Sequence, residues 1–211
     1  PMACLLLHGV PGTGKTALAA HLALGSAFPF IKIISAESMI GMSEPQRVSY
    51  IHRVFSDAHR SPMSMVIVDE IERLLDYVPI GPRFLNGVLQ CLLVLFKMVP
   101  SCPDHRLMVI ATTSDHGLLR EMGMSESFTV DLYCPPLTTI DQLERVIAAC
   151  LPDDPQRRQD LITSATSRIA SPEDRLALPI KRALALVEMA GQDEQNAGDL
   201  FAHSLDHYIH R

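Results

Sequence analysis

The sequence predicts an α/β fold in which helices flank a parallel five-stranded sheet, followed by a small C-terminal helical domain. Short apolar runs alternate with amphipathic stretches through the first two-thirds of the chain. Strands that alternate with helices in this way form a parallel sheet covered on both faces. Beyond residue 136 only helical patterns remain. We therefore predict an α/β domain over residues 1–136 and a helical domain over residues 137–211.

Each predicted element has its own local signal. The strands are short apolar runs between turn-forming or polar residues, at residues 3–8, 30–34, 64–68, 107–111 and 128–133. Between them, apolar residues recur at helical spacing and predict helices over residues 15–24, 43–59, 83–98 and 115–122. Prolines and a glycine separate the C-terminal helices, which are predicted at residues 139–151, 156–169, 180–190 and 197–209.

Composition excludes several classes of protein. The 211 residues carry a formal net charge of −6 and show no basic cluster, so we expect no nucleic-acid partner. The longest apolar run, residues 88–99, is about 12 residues long and suits a buried helix, so we expect no transmembrane segment. The five cysteines are odd in number and never form a C-x-x-C pair, which favours a reducing, cytoplasmic environment.

A phosphate-binding loop follows the first predicted strand. Residues 9–16 read Gly-Val-Pro-Gly-Thr-Gly-Lys-Thr, the Walker A pattern. Glycines let backbone N–H groups surround phosphate oxygens, and the next helix directs its N-terminal dipole at the same anion. We predict that Lys15 reaches the β- and γ-phosphates of a nucleoside triphosphate and that Thr16 holds Mg²⁺. The nucleotide-binding residues predicted here are Gly9, Val10, Pro11, Gly12, Thr13, Gly14, Lys15, Thr16 and Ala17.

A second motif supplies two acidic residues at the end of the third predicted strand. Asp69 and Glu70 follow an apolar run, the Walker B pattern. A carboxylate at a buried strand end is costly unless a cation balances it, so Asp69 is predicted to bind Mg²⁺ together with Thr16. Glu70 is predicted to orient and deprotonate the attacking water. The fourth strand ends in hydroxyls, of which Thr113 is predicted to be catalytic, a role compatible with capping the helix that follows.

With these motifs in this order ahead of a helical domain, the chain resembles a P-loop AAA+ ATPase with a helical lid. Three segments are similar to the second ATPase domain of the vesicle-fusing ATPases, the family of N-ethylmaleimide-sensitive factor. They are Phe-Pro-Phe-Ile-Lys-Ile at 28–33, Met-Ile-Gly-Met-Ser-Glu at 39–44, and Asp-Glu-Ile-Glu-Arg-Leu-Leu-Asp-Tyr-Val-Pro-Ile-Gly-Pro-Arg-Phe at 69–84. The last segment is long and idiosyncratic, which makes the resemblance specific.

The resemblance implies a function and a setting for the chain. The family is a homohexamer that binds ATP and Mg²⁺ and disassembles SNARE complexes through a soluble attachment protein adaptor. Its second domain mainly binds ATP and holds the ring together, with slow or no hydrolysis. The resemblance also implies a cytoplasmic protein that is recruited peripherally to vesicle and Golgi membranes.

The chain departs from general AAA proteins at two positions. Where they carry an arginine that reaches a neighbour's γ-phosphate, this chain holds only Arg120. Where threading rings place a pore aromatic, it holds Met39-Ile40-Gly41, and the thioether is expected to grip a polypeptide weakly. At the position of a lid cation, Lys181 is predicted to touch the phosphates in preference to Arg182, with a solvated basic pair as the alternative.

Two functions therefore stay open at this point. In one, Glu70 is catalytic and ATP hydrolysis drives the remodelling of a protein partner. In the other, bound ATP stabilises the contacts between subunits and is a structural element of the assembly. AAA domains usually carry a segment ahead of the first strand, and this chain begins almost at that strand. We therefore expect weak nucleotide affinity and a monomeric state. His203, His207 and His210 are interpreted as a solvated face and not as a metal site.

Overall fold

The computed structural model describes residues 1–78, 83–169, 175–192 and 197–210, and the chain divides into two compact units. Unit 1 comprises Pro1–Gly9 and Lys15–Cys134. Unit 2 comprises the short segment Val10–Gly14 together with the chain from Pro135 onwards. The four residues 79–82, which belong to the segment that carries the family resemblance, lie outside the described residues.

Unit 1 is built on a five-stranded sheet. Its strands stand in the order β2-β3-β4-β1-β5, and every pairing is parallel, which confirms the predicted α/β sheet. The strands are β1 (Met2–His8), β2 (Phe30–Ile34), β3 (Met63–Val68), β4 (Arg106–Thr113) and β5 (Val130–Tyr133). Because all five strands are parallel, the carboxyl-terminal ends of β1, β3 and β4 lie along one edge of the sheet.

The described part of unit 1 also contains the α-helices α1 (Lys15–Gly25), α2 (Glu44–Arg60), α3 (Ile71–Leu74), α4 (Asn86–Leu95) and α5 (His116–Glu121). The start of α2 has a clear local cause, because the N–H and hydroxyl of Ser43 both donate to Gln46 Oε1, at 2.8 and 3.0 Å. Two expectations were wrong. The helix predicted over residues 83–98 is shorter, and the single-turn helix α3 was not predicted, since four residues show too little periodicity to be recognised.

The central strands are buried on both faces. Leu6, Val66 and Val109 pack into the larger apolar cluster, whereas Leu7, Ile67 and Ile110, the next residues along the same three strands, pack into a second cluster. Alternation of this kind follows from the two-residue repeat of a strand. Full burial of each such side chain stabilises the fold by about 1.5–3 kcal/mol, so the three strands form a rigid base for the loops at their ends.

Unit 2 is mainly helical, with α6 (Ile140–Cys150), α7 (Pro155–Arg168), α8 (Ile180–Gln192) and α9 (Ala197–Leu205). Thr139 and Asp154 cap α6 and α7 with their side-chain oxygens. The expectation that no strands follow residue 136 was wrong, because β6 (Arg175–Leu176) and β7 (Ile209–His210) form a short antiparallel pair. Two-residue strands are too short to show alternation in a sequence. Among the described residues, no helix has both the length and the apolar character needed to cross a membrane.

Candidate nucleotide-binding site

The site of unit 1 lies where β1, β3 and β4 end. Val68 pairs with Ala111, so the residues that follow, Asp69 and Thr112, fall beside each other. On the other side of β4, Leu7 pairs with Thr112, and β1 then leads into the predicted phosphate loop. Strand order alone therefore assembles the two predicted motifs, which stand more than fifty positions apart in the chain.

Thr16 and Asp69 are in direct contact. The Thr16 hydroxyl donates to Asp69 Oδ1 over 2.8 Å, and Thr16 is open to solvent at the first turn of α1. Hydroxyl and carboxylate oxygens are the ligands that Mg²⁺ takes in nucleotide sites, alongside phosphate oxygens and water. The pair thus has the donor chemistry and the accessibility that the predicted metal ion requires.

Lys15 lies almost fully buried next to these acids. Only 6% of its surface is exposed, and its Nζ donates to the Gly9 carbonyl over 2.7 Å. Burial lowers the pKa of Lys15, while the neighbouring carboxylates of Glu72, Glu70 and Asp69 oppose that change. The Lys15 ammonium lies at the start of α1, where it can exchange the Gly9 carbonyl for a phosphate oxygen. The nearby acids would repel that anion unless a metal cation balanced their charge.

The loop itself contains the backbone conformations that glycine permits. Gly12 and Gly14 have φ of +84° and +88°, in the region that residues with a Cβ rarely adopt. Gly9 also has a positive φ, and a Cβ there would collide with the carbonyl oxygen of Cys134. Within unit 2, the backbone N–H of Lys181 donates to the Gly12 carbonyl over 2.9 Å. The side chains of Lys181 and Arg182 are both exposed, so the geometry does not choose between them.

The remaining residues predicted for this loop have simple surroundings. The Thr13 hydroxyl donates to the Val10 carbonyl over 3.1 Å, which closes a local turn. Pro11 and Ala17 are exposed, Ala17 on the first turn of α1.

Glu70 occupies a strained backbone position. Its φ of 51° and ψ of 66° are left-handed, which is uncommon for any residue except glycine, asparagine and aspartate. Its N–H donates to the Thr112 hydroxyl over 2.8 Å, and its carboxylate accepts from Arg73 Nε over 3.0 Å. Outliers of this kind cluster at functional sites, where neighbours hold them in place.

Consecutive threonines at the end of β4 have different partners. Thr112 donates to Asp69 Oδ1 over 2.7 Å, whereas Thr113 donates to Glu72 Oε2 over 2.8 Å. Glu72 also accepts from the backbone N–H of Ser114, over 2.9 Å. The structure therefore places the hydroxyl of Thr112, and not that of the predicted Thr113, in contact with the Asp69 carboxylate. The catalytic role of Thr113 stays a prediction.

The sequence pattern did not single out Thr112 among the hydroxyls that end β4, and it assigned no role to Glu72. Thr112 stood next to the residue that was chosen, and only the pairing of β3 with β4 distinguishes the two. Glu72 lies in α3, the helix that was not predicted. A signal was nonetheless present, because an acid two positions after Glu70 lies within one helical turn of the strand end.

Two other positions differ from expectation. Met39 is fully buried in the core of unit 1, so the prediction that its thioether faces a polypeptide was wrong; the neighbouring Ile40 is 81% exposed instead. The helix predicted over residues 197–209 ends at Leu205, while the side chains of His203 and His207 are exposed, as the interpretation of a solvated face expects. Within the described ranges, no three histidine, cysteine or acidic side chains form a group that could hold a metal. Arg120 is exposed on α5.

Comparison with known proteins identifies similar sequences. The model of the ATPase family associated with various cellular activities (AAA) matches residues 5–136. The vesicle-fusing ATPase of Dictyostelium discoideum is 43% identical over 208 residues, which is 99% of this chain and 27% of that protein. The vesicular-fusion protein sec18 of Schizosaccharomyces pombe is 52% identical over 143 residues, 68% of this chain and 18% of that protein.

A third relative is also matched over most of this chain and about a quarter of its own length. The vesicular-fusion protein SEC18 of Saccharomyces cerevisiae is 38% identical over 196 residues, covering 93% of this chain and 25% of that protein. The chain thus spans about a quarter or less of the length of the curated relatives it matches.

Proposed function

Because this chain belongs to the AAA family of ATPases, we propose that it binds ATP with Mg²⁺ through residues 9–17 and Asp69 and that Glu70 serves hydrolysis. One observation carries the proposal: the Thr16 hydroxyl and the Asp69 carboxylate meet at 2.8 Å beside the buried Lys15. A hydroxyl, a carboxylate and a cation at the start of a helix form the constellation that Mg-bound polyphosphates require.

Each residue has a distinct role in this proposal. The loop's backbone N–H groups and Lys15 bind the phosphates, and Thr16 and Asp69 hold the metal, which neutralises phosphate charge when bound. Glu70 orients water and accepts its proton at a carboxylate oxygen. Thr113 contacts the γ-phosphate or that water, and Lys181 contributes a cation from α8.

Two local observations support slow turnover. The Glu70 carboxylate accepts from Arg73, which holds the acid in a contact of its own. Arg120 is the only arginine in its segment, so an arginine finger, worth about 10³–10⁵ in rate where present, has at most one candidate here. The alternative is a fully active ATP-hydrolysing remodeller of another protein substrate, and the intact pair of Asp69 and Glu70 favours it.

The wider role follows the relatives. We propose that the chain is the second ATPase domain of a vesicle-fusing ATPase, in which bound ATP promotes assembly of a homohexamer. The whole protein would disassemble SNARE complexes through a soluble attachment protein adaptor. It would act in the cytoplasm and be recruited peripherally to vesicle and Golgi membranes. We also propose that the nucleotide-binding domain spans residues 1–136 and the helical lid residues 137–211.

The decisive experiment compares binding with turnover. ATP affinity is measured by calorimetry with Mg²⁺ and with EDTA, and phosphate release is measured in parallel, for the wild-type chain and for Lys15→Ala and Glu70→Gln. We expect Lys15→Ala to abolish binding and Glu70→Gln to bind normally while phosphate release falls at least about 100-fold. Equal ATP affinity of the wild-type chain in Mg²⁺ and in EDTA would contradict the proposed metal site. Phosphate release that is equal in the wild type and Glu70→Gln would reduce the chain to a nucleotide-dependent assembly module.

A further inference from the structure

Thr112 stands at the meeting point of the two acidic residues. It is fully buried, and it lies on β4 directly after Ala111, which pairs with Val68 of β3. The pairing of β3 with β4 ends at these two residues, so Thr112 lies beside Asp69 and Glu70. No local property of the sequence distinguishes it from Thr113, which is equally buried.

The single hydroxyl of Thr112 is used as both donor and acceptor. It donates its proton to Asp69 Oδ1 over 2.7 Å and accepts the N–H of Glu70 over 2.8 Å. A hydroxyl has one proton to donate, so this donation is fully committed to Asp69. Hydrogen bonds to a charged acceptor are roughly twice as strong as neutral ones, and burial strengthens them further.

The two hydrogen bonds of the Thr112 hydroxyl hold a side chain and a backbone group in place. The first holds the Asp69 carboxylate in the orientation in which the same oxygen also accepts from Thr16. The second holds the N–H of Glu70 while that residue keeps a φ of 51°. Because a left-handed conformation persists only when its surroundings determine it, the Thr112 hydroxyl is part of what keeps Glu70 in place.

We propose that Thr112 is a positioning residue that orients Asp69 toward the metal and Glu70 toward water, without touching nucleotide itself. This inference rests on the proposed Mg-ATP function and deepens it. It assigns the two threonines separate tasks: Thr112 acts through the metal-side acids, while Thr113 and Glu72 form a neighbouring pair.

The test measures the Mg²⁺ dependence of ATP affinity in the 211-residue chain. Thr112→Val keeps the shape of the side chain and removes its hydroxyl. We expect the affinity gained on adding Mg²⁺ to fall about tenfold or more, because Asp69 loses a charge-assisted bond, while affinity in EDTA stays within about twofold of wild type. Thr112→Ser, which retains the hydroxyl, should restore the gain.

A matched control separates positioning from general damage. Ser64 is another fully buried hydroxyl of the same sheet, and it donates to the Ala58 carbonyl at the opposite end of β3. Ser64→Ala should lower the melting temperature and leave the Mg²⁺ dependence of ATP affinity unchanged. If Thr112→Val fails to fold, Thr112→Ser and Thr112→Cys, which differ only in oxygen against sulfur, make the same comparison.

The outcomes separate the two proposals. A wild-type chain whose ATP affinity ignores Mg²⁺ overturns the proposed function, and the role of Thr112 with it. A wild type that responds to Mg²⁺ while Thr112→Val, or Thr112→Cys in its place, responds equally overturns the role of Thr112 alone. Loss of the Mg²⁺ response with recovery in Thr112→Ser supports the proposal.

Discussion

Gly9, the first glycine of the phosphate loop, is predicted to be required for stability even when no phosphate is bound, because of its close approach to the residue that follows β5. Gly9 follows β1, and a Cβ added there would run into the backbone carbonyl oxygen of Cys134. That oxygen cannot easily move, because the N–H of the same residue donates to the His8 carbonyl over 2.7 Å. Gly9→Ala should therefore destabilise the chain in the complete absence of nucleotide.

The size of the effect follows from two separate costs. A positive φ disfavours any residue with a Cβ by about 1–2 kcal/mol. Overpacking against an immobile neighbour adds about 1–3 kcal/mol. Gly9→Ala should therefore lose about 2–5 kcal/mol, which for a chain of this length lowers the melting temperature by roughly 5–20 °C.

Two other glycines allow the conformational cost to be measured separately from the packing cost. Gly41 has a φ of +79°, and an added Cβ meets no atom within 4 Å in the described part of the chain. Gly41→Ala should therefore carry only the conformational cost, about 1–2 kcal/mol. Gly25, at the end of α1, has neither a positive φ nor a close neighbour, so Gly25→Ala should stay within about 0.5 kcal/mol of wild type.

The assay is thermal unfolding in nucleotide-free buffer, followed by circular dichroism for the wild type and the three variants. The order of melting temperatures should be Gly25→Ala highest, then Gly41→Ala, then Gly9→Ala. If Gly9→Ala melts within about 2 °C of Gly41→Ala, the collision contributes nothing and the packing argument is wrong.

Two further predictions concern the same unit. Burial lowers the pKa of His59 and of His8, so the unfolded chain binds protons first as the pH falls below about 6.5. The contribution of these two histidines to stability should be fully present above about pH 7 and decline as the pH falls from about 7 to 5. Thermal melts should show a shallower decline in His59→Gln, and identical pH profiles would contradict this. Glu72→Gln should lower the melting temperature by roughly 2–10 °C, because one of the two donors, Thr113 or Ser114, loses its acceptor. The exposed Glu121→Gln is the control, and equal melting temperatures of the two variants would refute the role of Glu72.

Much of the fold could be predicted from local patterns. The order of strands and helices in unit 1 follows from periodicity, and the two nucleotide motifs are recognisable because each is contiguous in the chain. The misses are equally physical. Four-residue α3 and two-residue β6 and β7 span only about one period of the pattern that would reveal them, which is too little to recognise. Met39 was misassigned because a sequence pattern does not say which residue of a loop turns inward.

The sequence by itself determined that this chain has a phosphate loop with a lysine and a threonine, an acidic strand end and an α/β order, since each depends on neighbours within a few residues. Only the tertiary structure decided which threonine meets Asp69 and what surrounds Gly9. Both answers depend on the lateral order and register of strands, which bring residues more than forty, and in one case more than a hundred, positions apart into contact. A shift of one residue in register would exchange Thr112 for Thr113, and no local pattern encodes that choice.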